Sequence, residues 1–335
     1  MKNILKYGMM AFVAAAGLGA CSDWTEPESV KVVYDGVSDT DPDTYNKYLE
    51  NLRAYRDNGH KKVYAWFANN GNFNSQADHV SAVPDSIDVL VLHNADKVSA
   101  EALADLNKKR TQTGMLMACT IDFDAIKASW NLKKELAGAD GVVPEWNKFL
   151  ADSMAVALDH ASAAQMNRVI ASFIGQDISY LSQADKDQYL ADQTTFIKGI
   201  KDWVAAGSGR AYDYLGVPSN ITDTEFTANA GLLFLYETLT ATSVQDYNYI
   251  VTRNSAKGFD EHRLAVIAPL PGTDAANNPV GKWGDSYTSW EVARWARSTD
   301  LGSVGLTNLY QDYYNPTFIY PVCRQAIQLL NPAVK

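Results

Sequence analysis

The chain has 335 residues, of which 47% are hydrophobic and 20% are charged, and its formal net charge is −10. This composition predicts a folded protein with a large core, and one barrel of roughly 250 residues plus additions would use nearly all of the chain. The acidic balance argues against proteins that bind nucleic acid or anionic lipid heads, since both kinds of ligand need a basic face.

The first twenty residues predict a signal peptide, because a short basic start precedes an apolar run over residues 7–16 that is too short to span a bilayer. The run leads to Leu18-Gly19-Ala20-Cys21, which resembles the bacterial lipobox. We therefore expect Cys21 to become a lipidated N-terminus that anchors the chain to a membrane. The acidic residues 22–28 resemble the surface-export signal of Bacteroidetes lipoproteins, which implies a location on the outer face of the outer membrane.

Residues 21–44, rich in Asp, Glu, Ser and Pro, are predicted to be a tether, and residues 45–335 to be one folded domain. Strands are predicted over Lys62–Phe67, Ile87–Leu92, Gly114–Thr120, Asn167–Gly175, Ala211–Leu215, Leu232–Tyr236, Arg263–Ala268 and Gly302–Thr307. Helical patterns cover Asp43–Asn58, Ala100–Arg110, Pro144–Ala164, Gln183–Ala205 and Pro316–Leu330.

Strands that alternate with helices, with no hairpin signal between them, favour a single closed (β/α)8 TIM barrel. An open Rossmann-type sheet is the alternative fold. It would need a Gly-x-Gly-x-x-Gly turn after the first strand, and the segment Asn69–Phe73 does not supply one.

The fourth predicted strand carries the most informative segment, Asn167–Gly175. Here the chain resembles the barrels of glycoside hydrolase family 18, whose fourth strand carries the motif DGxDxDxE. The positions of the four motif acids are occupied by Asn167, Ile170, Ser172 and Ile174, and Arg168 stands at the motif glycine. The resemblance therefore implies a barrel that lacks the family's catalytic acids.

The chemistry of that family makes the loss decisive. The motif Glu protonates the leaving oxygen, and the neighbouring Asp positions the acetamido group of the substrate, which attacks the anomeric carbon. Side chains alternate along a strand, so residues 170, 172 and 174 should share one face and point into the barrel. Two isoleucines and a serine cannot donate the required proton.

The rest of the mature chain resembles Bacteroides lipoproteins related to the endo-β-N-acetylglucosaminidases of this family. The resemblance rests on Cys21–Pro27, Tyr48–Tyr55, Ala82–Ser86, Phe123–Ala128 and Gln311–Pro316. Active members cleave between the core N-acetylglucosamines of N-glycans. Other members resemble non-catalytic lipoproteins that bind glycan for a TonB-dependent transporter with its lid lipoprotein, and the missing acids imply that this chain is one of them.

Two other function classes stay open. Five carboxylates at or beyond predicted strand ends could replace the lost acids and give an active endo-β-N-acetylglucosaminidase: Asp122, Asp124, Asp177, Glu237 and Asp312. The same acids could instead bind sugar hydroxyls or cap the following helices. The third class is a structural surface protein without a ligand.

Sugars are bound by flat aromatic rings against their apolar faces and by amides or carboxylates at their hydroxyls. Side chains of these types follow the predicted strands and are expected to line a ligand site: Trp66, Asn69, Asn94, Asp122, Gln176, Tyr236, Glu237, Trp283, Tyr310, Gln311 and Tyr313. Trp283, in a glycine-rich loop, is predicted to be the most exposed of the aromatic residues. Neither a cofactor motif nor the His or Cys spacing of a metal site is present in the sequence.

The predicted location on the cell surface can be tested by protease shaving of intact cells. If lipidated Cys21 holds the domain on the outer face, external protease should degrade it without lysis. Survival on intact cells, followed by degradation after lysis, would contradict a surface location.

Overall fold

Eight parallel strands form a closed barrel in the computed structural model of the chain, which describes residues 41–71, 73–138, 141–274 and 277–332. The strands are β1 Lys62–Phe67, β2 Val89–Leu92, β3 Leu116–Asp122, β4 Arg168–Phe173, β5 Ala211–Gly216, β6 Leu233–Leu235, β7 Leu264–Pro269 and β8 Ser303–Thr307. Each strand pairs with its neighbours in the sequence, and β1 closes the barrel by pairing with β8. The predicted TIM barrel is confirmed.

The α-helices of the described residues are α1 Pro42–Asp57, α2 Ala100–Thr113, α3 Phe123–Ala137, α4 Trp146–Ala163, α5 Gln183–Ala205, α6 Thr224–Asn229, α7 Val244–Ala256, α8 Thr288–Ala296, α9 Leu309–Tyr313 and α10 Pro321–Leu330. Two small antiparallel ribbons, which the sequence did not predict, lie in the segment from Gly272 to Tyr287 between β7 and α8. Among the helices in the described part of the chain, none has the length and apolarity needed to cross a membrane.

The last helix begins at Pro321, five residues later than predicted. Tyr320 precedes it in the left-handed region, at a φ of 55°, where a helix cannot continue. The proline that follows is suited to the first helical turn, since the missing N–H is not needed there. The predicted signal peptide and residues 21–40 of the predicted tether lie outside the described residues.

Two separate cores follow from the alternation of side chains along the strands. Ile170 belongs to the cluster that fills the barrel, together with residues such as Tyr64, Trp66 and Phe234. Phe173 points the other way and packs against Phe123 of α3, at 4.4 Å between ring centroids. β4 therefore has the orientation predicted from the motif, with Ile170 facing the barrel interior and Phe173 facing the helices.

An aromatic column fills the inside of the barrel. The rings of Tyr64 and Trp66 each meet Phe234 edge to face, at centroid distances of 4.9 and 5.5 Å. Gly305 on β8 leaves the space for Trp66, because a Cβ at this position would come within 2.6 Å of the indole ring. The column closes the barrel beneath its C-terminal mouth.

A buried ion pair lies at the other end of this column. Asp213 is fully buried and accepts hydrogen bonds from Arg168 at 2.7 Å, Tyr64 Oη at 2.8 Å and the Leu232 N–H at 2.8 Å. Burial raises the pKa of Asp213, and the Arg168 guanidinium and the other two donors oppose the rise. The carboxylate therefore ties three strands together at the N-terminal end of the barrel.

Removing this carboxylate should destabilise the fold severely. Asp213→Ala leaves the Arg168 charge and two further donors without their partner, and we expect a loss of about 3–5 kcal/mol in the free energy of unfolding. Urea denaturation measures it.

The matched control is Asp202→Ala. Asp202 pairs with Lys198 at 2.5 Å, but both side chains are largely exposed, so its removal should cost about 0–1 kcal/mol. Equal losses in the two variants would contradict the structural role of Asp213.

Candidate functional site

The motif positions of β4 reach the C-terminal mouth of the barrel without an ionisable side chain. Ile170 lies inside the barrel, Ser172 is buried, and Ile174 follows the strand with its side chain half-buried. Arg168 lies at the opposite end, where it pairs with Asp213. Asn167 precedes the strand and lies near the same end. No proton donor is therefore available on the inward face of β4 above Arg168.

Two aspartates lie beside the C-terminal end of β4: Asp122 is the last residue of β3, and Asp124 is in the first turn of α3. Asp122 is the register partner of Ser172 and caps α3, accepting a hydrogen bond from the Ala125 N–H at 3.0 Å. Burial raises the pKa of Asp122. Asp124 accepts a hydrogen bond from the Ile174 N–H at 3.2 Å, so it fastens the end of β4 to the start of α3.

The other three candidate acids also have structural partners. Glu237 forms an ion pair with Arg253. Asp177 accepts a hydrogen bond from the Ser179 N–H at 2.8 Å, and hydrogen bonding to Ser179 lowers its pKa. Asp312 is buried and accepts hydrogen bonds from backbone N–H groups at the start of α10. Each of the candidate acids thus stabilises a helix, a turn or an ion pair.

Trp66 lies deep in the barrel, whereas Tyr236 directly follows the C-terminal end of β6. Trp66 is only 4% exposed, and its indole N–H donates to Thr120 Oγ1 at 3.3 Å. Tyr236 is half-buried against the interior cluster. Trp66 therefore mainly fills the barrel, because the pattern that turns a strand residue inward also places it in the packed column, while Tyr236 keeps part of its surface at the mouth.

Asn69 and Asn94 bind each other at the ends of β1 and β2. Asn69 Nδ2 donates to the Asn94 carbonyl at 2.6 Å, and Asn69 Oδ1 accepts from the Asn94 N–H at 2.9 Å. Asn94 Nδ2 returns a hydrogen bond to the Asn69 carbonyl at 2.9 Å. This asparagine clasp joins two mouth loops. It uses three of the four side-chain polar groups that Asn69 and Asn94 could offer to a ligand.

The prediction that Trp283 is the most exposed aromatic residue is wrong. Its ring is half-buried against the outer core and meets Tyr247 at 5.8 Å between centroids. The glycine-rich loop folds back over α7 as an antiparallel ribbon, which the polar neighbours of Trp283 did not reveal. Gln311 is likewise engaged, since its Oε1 accepts from the Thr273 N–H at 3.0 Å.

A group of tyrosines after β8 forms an open aromatic surface at the mouth. Tyr314 is 57% exposed, and its hydroxyl lies 2.9 Å from that of Tyr310 and 3.4 Å from Ser75 Oγ. The hydrogen bond with Tyr314 raises the pKa of Tyr310 to about 12. Tyr313 packs against the Tyr314 ring at 5.2 Å between centroids. Sequence reasoning named two of these residues and missed Tyr314.

The loop after β4 adds a second open aromatic residue that the sequence analysis missed. Tyr180 is 91% exposed, and the nearby Gln176 presents an exposed side chain while its N–H donates to the Tyr189 hydroxyl at 3.3 Å. The available signal was an aromatic residue inside a polar loop, Gln-Asp-Ile-Ser-Tyr, directly after the motif strand. Residues of this type can stack on a sugar face and bind its hydroxyls.

Within the described ranges, no group of three or more His, Cys, Asp or Glu side chains is arranged to hold a metal ion. The mouth thus combines exposed tyrosines with amides and structurally engaged carboxylates. The arrangement suits reversible binding of a neutral polar ligand better than proton transfer.

A sequence profile described as glycoside hydrolase family 18, BT1044-like, matches residues 25–329. The chain belongs to this family. No curated protein has a sequence that matches it.

Solved structures show the same family 18 fold at low identity. BT1044, in a selenomethionine form with one Glu replaced by Gln, is 17% identical over 87% of this chain and 94% of its own, with a TM-score of 0.56. An endo-β-N-acetylglucosaminidase from Cordyceps militaris, with one Asp and one Glu replaced by their amides, is in complex with fucosyl-N-acetylglucosamine-Asn. It is 13% identical over 85% of this chain and 95% of its own, with a TM-score of 0.55.

A third similar structure is a catalytic domain of an Ostrinia furnacalis chitinase, with one Glu replaced by Leu, in complex with a chitooligosaccharide. It is 11% identical over 82% of this chain and 97% of its own, with a TM-score of 0.56. These likenesses extend over nearly the whole barrel of this family 18 chain.

The asparagine clasp of this family 18 barrel can be separated from a ligand site by substitution. Asn69→Ala removes two hydrogen bonds and leaves the Asn94 N–H without its acceptor, so we expect the free energy of unfolding to fall by about 1–3 kcal/mol. Its exposed neighbour serves as the control, and Asn70→Ala should unfold like the unmodified protein. Unchanged stability in Asn69→Ala, together with weaker glycan binding, would instead make Asn69 a ligand contact.

Proposed function

We propose that this family 18 chain is a surface lipoprotein that binds N-glycan or related host oligosaccharide without hydrolysing it. The observation that carries the proposal is the inward face of β4, where Ile170, Ser172 and Ile174 occupy the positions of the motif acids. The reaction of the family needs a proton donor and a group that positions the acetamido nucleophile. Neither chemistry is possible for these three side chains.

Binding can persist where the acids are absent. The Cordyceps endo-β-N-acetylglucosaminidase and the Ostrinia chitinase were captured with oligosaccharide after Glu, or Asp and Glu, had been replaced. Their barrels therefore hold a glycan without those carboxylates. By analogy, this supports ligand binding by a barrel of the same fold that naturally lacks the motif acids.

The exposed tyrosines supply the surface for a sugar ring. Stacking on one aromatic ring contributes on the order of 1 kcal/mol beyond area burial. One or two such contacts at Tyr314 and Tyr180 predict micromolar or weaker affinity at a single site. Many anchored copies on a membrane would raise the effective affinity, because a glycan released by one copy is recaptured by the next.

The proposed location rests on the N-terminal sequence, and the proposed partner rests on the resemblance to non-catalytic glycan-binding lipoproteins of the family. Lipidated Cys21 would hold the domain on the outer face of the outer membrane, where extracellular glycans arrive. A binder that does not cleave its ligand needs an acceptor for it. We propose that a TonB-dependent transporter, with its glycan-binding lid lipoprotein, is this acceptor.

One observation favours a second function, slow hydrolysis by a substitute acid. Asp122 lies at the mouth beside Ser172, and its burial raises its pKa, which is the direction that a general acid requires. Its role as the cap of α3 opposes this use, because the charged form accepts the Ala125 N–H.

Incubation of the purified full chain with a labelled N-glycoprotein separates the functions. We expect the glycan to be retained at its full length, since the motif acids are missing. A shortened glycan would favour the hydrolase, and Asp122→Asn should then abolish turnover. A glycoprotein that is neither retained nor shortened would favour a structural surface protein without a ligand.

The tyrosine surface has a matched control. Tyr314→Ala should weaken glycan binding by about fivefold, the equivalent of about 1 kcal/mol, in calorimetry. Tyr249→Ala, which removes a similarly exposed ring (64%) from the middle of α7, should not change binding. Equal effects in the two variants would refute a specific role for Tyr314.

A further inference from the structure

Beside the barrel mouth lies a cleft of about 690 Å³, called here the α4 cleft. One wall is a face of α4 that includes Phe149, Val156 and His160, and the other begins at His93 after β2 and ends at Asp122, the last residue of β3. Its volume is within the range of 300–1,000 Å³ that is typical of small-ligand sites. Apart from Asp122, the residues that line it have no role in the proposed function.

The wall formed by α4 carries apolar side chains, among polar ones, on a face that the outer core does not cover. Leu150, Met154 and Leu158 are buried in the outer core, as expected for one face of an amphipathic helix. On the other face, Val156 is 54% exposed and lines the cleft with the half-buried Phe149. Partly exposed apolar side chains that line a concave cleft, with a few polar groups among them, are typical of the wall of a small-ligand site.

The cleft is continuous with the mouth at its upper end. Thr120 and Asp122 line the cleft and also form the C-terminal end of β3, where Asp122 is paired in register with Ser172 of the motif strand. A ligand bound over the end of β4 therefore reaches the cleft by extending across one neighbouring strand, a distance of about 5 Å.

The lining has the chemistry of a sugar site. Apolar side chains on the wall can face the apolar sides of pyranose rings, while His93, Ser153 and His160 can bind hydroxyl groups. A cleft of this size has room for a short chain of sugar rings but not for a protein helix with its side chains.

The charges of the cleft select against acidic sugars. Asp96, Asp122 and Asp152 face it against one ammonium group, that of Lys133. Asp152 is also paired with Lys148 at 2.8 Å. The surplus of carboxylates, in a chain with a net charge of −10, would repel a sialic acid or a sulfated sugar.

We propose that the α4 cleft is a second subsite, which holds an arm of a neutral, branched oligosaccharide whose core lies at the barrel mouth. This inference rests on the proposed glycan-binding function and defines its ligand class. Two contact regions joined by one ligand explain how a mouth with few free polar groups can retain a glycan.

Calorimetry on the full chain tests the subsite with three probes: a released high-mannose N-glycan, its chitobiose core and a sialylated complex glycan. Val156→Trp should fill the cleft and weaken binding of the high-mannose glycan by about tenfold or more, without changing binding of the core. Val156→Ser, which removes apolar wall, should weaken it by a few fold and provides a second reading if the larger side chain impairs folding.

The matched control is Ala155→Trp, because Ala155 is the exposed neighbour on the same helix and lines the separate groove between α4 and α5. It should bind like the unmodified protein. Thermal melting of all variants shows whether they are folded. The unmodified protein should prefer the high-mannose glycan to the sialylated one.

The possible outcomes separate the subsite from the function. If the unmodified protein binds the high-mannose glycan, and folded Val156 variants bind it equally well, the subsite is refuted and glycan binding stands. Equal weakening in Ala155→Trp, or equal affinity for the sialylated glycan, also refutes the proposal. If the unmodified protein binds none of the three probes, both the subsite and the proposed function fail.

Discussion

The structure depends on the way in which the barrel interior is filled. Tyr64, Phe234 and Trp66 form an edge-to-face column, and the Tyr64 hydroxyl fixes the lower end of the column to the buried Asp213. Close packing of this kind tolerates neither an added nor a removed side chain without cost. It also leaves no deep pocket along the axis between these rings, so a ligand has to bind at the rim and in the clefts that open from it.

Because the barrel interior is filled, the residues at the mouth could act in catalysis or hold the structure together. A catalytic site needs side chains that stand free in the mouth, whereas here the carboxylates fix helix ends and loops. Asp124 joins α3 to the end of β4, and Asp312 holds the start of α10. The exposed aromatic side chains are instead those of Tyr180 and Tyr314. Both lie in short connecting segments and do not have to pack against a strand.

The sequence predicted the barrel well because apolar runs with clear ends recur at strand–helix spacing, and burial on both faces of a parallel sheet imposes that pattern. It also predicted which residues lie at the mouth, because the topology of a parallel barrel brings the C-terminal ends of all its strands to one side. It could not predict their partners. The asparagine clasp and the Gln311–Thr273 hydrogen bond join segments that are distant in sequence, and Trp283 is half-buried because it belongs to a ribbon with no simple turn signal.

Gly305 has a consequence for how such barrels can diverge. The Trp66 indole occupies the space above the Gly305 backbone, and a Cβ there would lie 2.6 Å from the ring. A larger residue at position 305 and a tryptophan at position 66 are therefore mutually exclusive in this backbone. The two sites, 239 positions apart in the chain, are therefore coupled in one direction: position 305 can gain a side chain only where position 66 has lost its tryptophan, whereas a smaller residue at position 66 beside Gly305 would open space on the axis of the barrel.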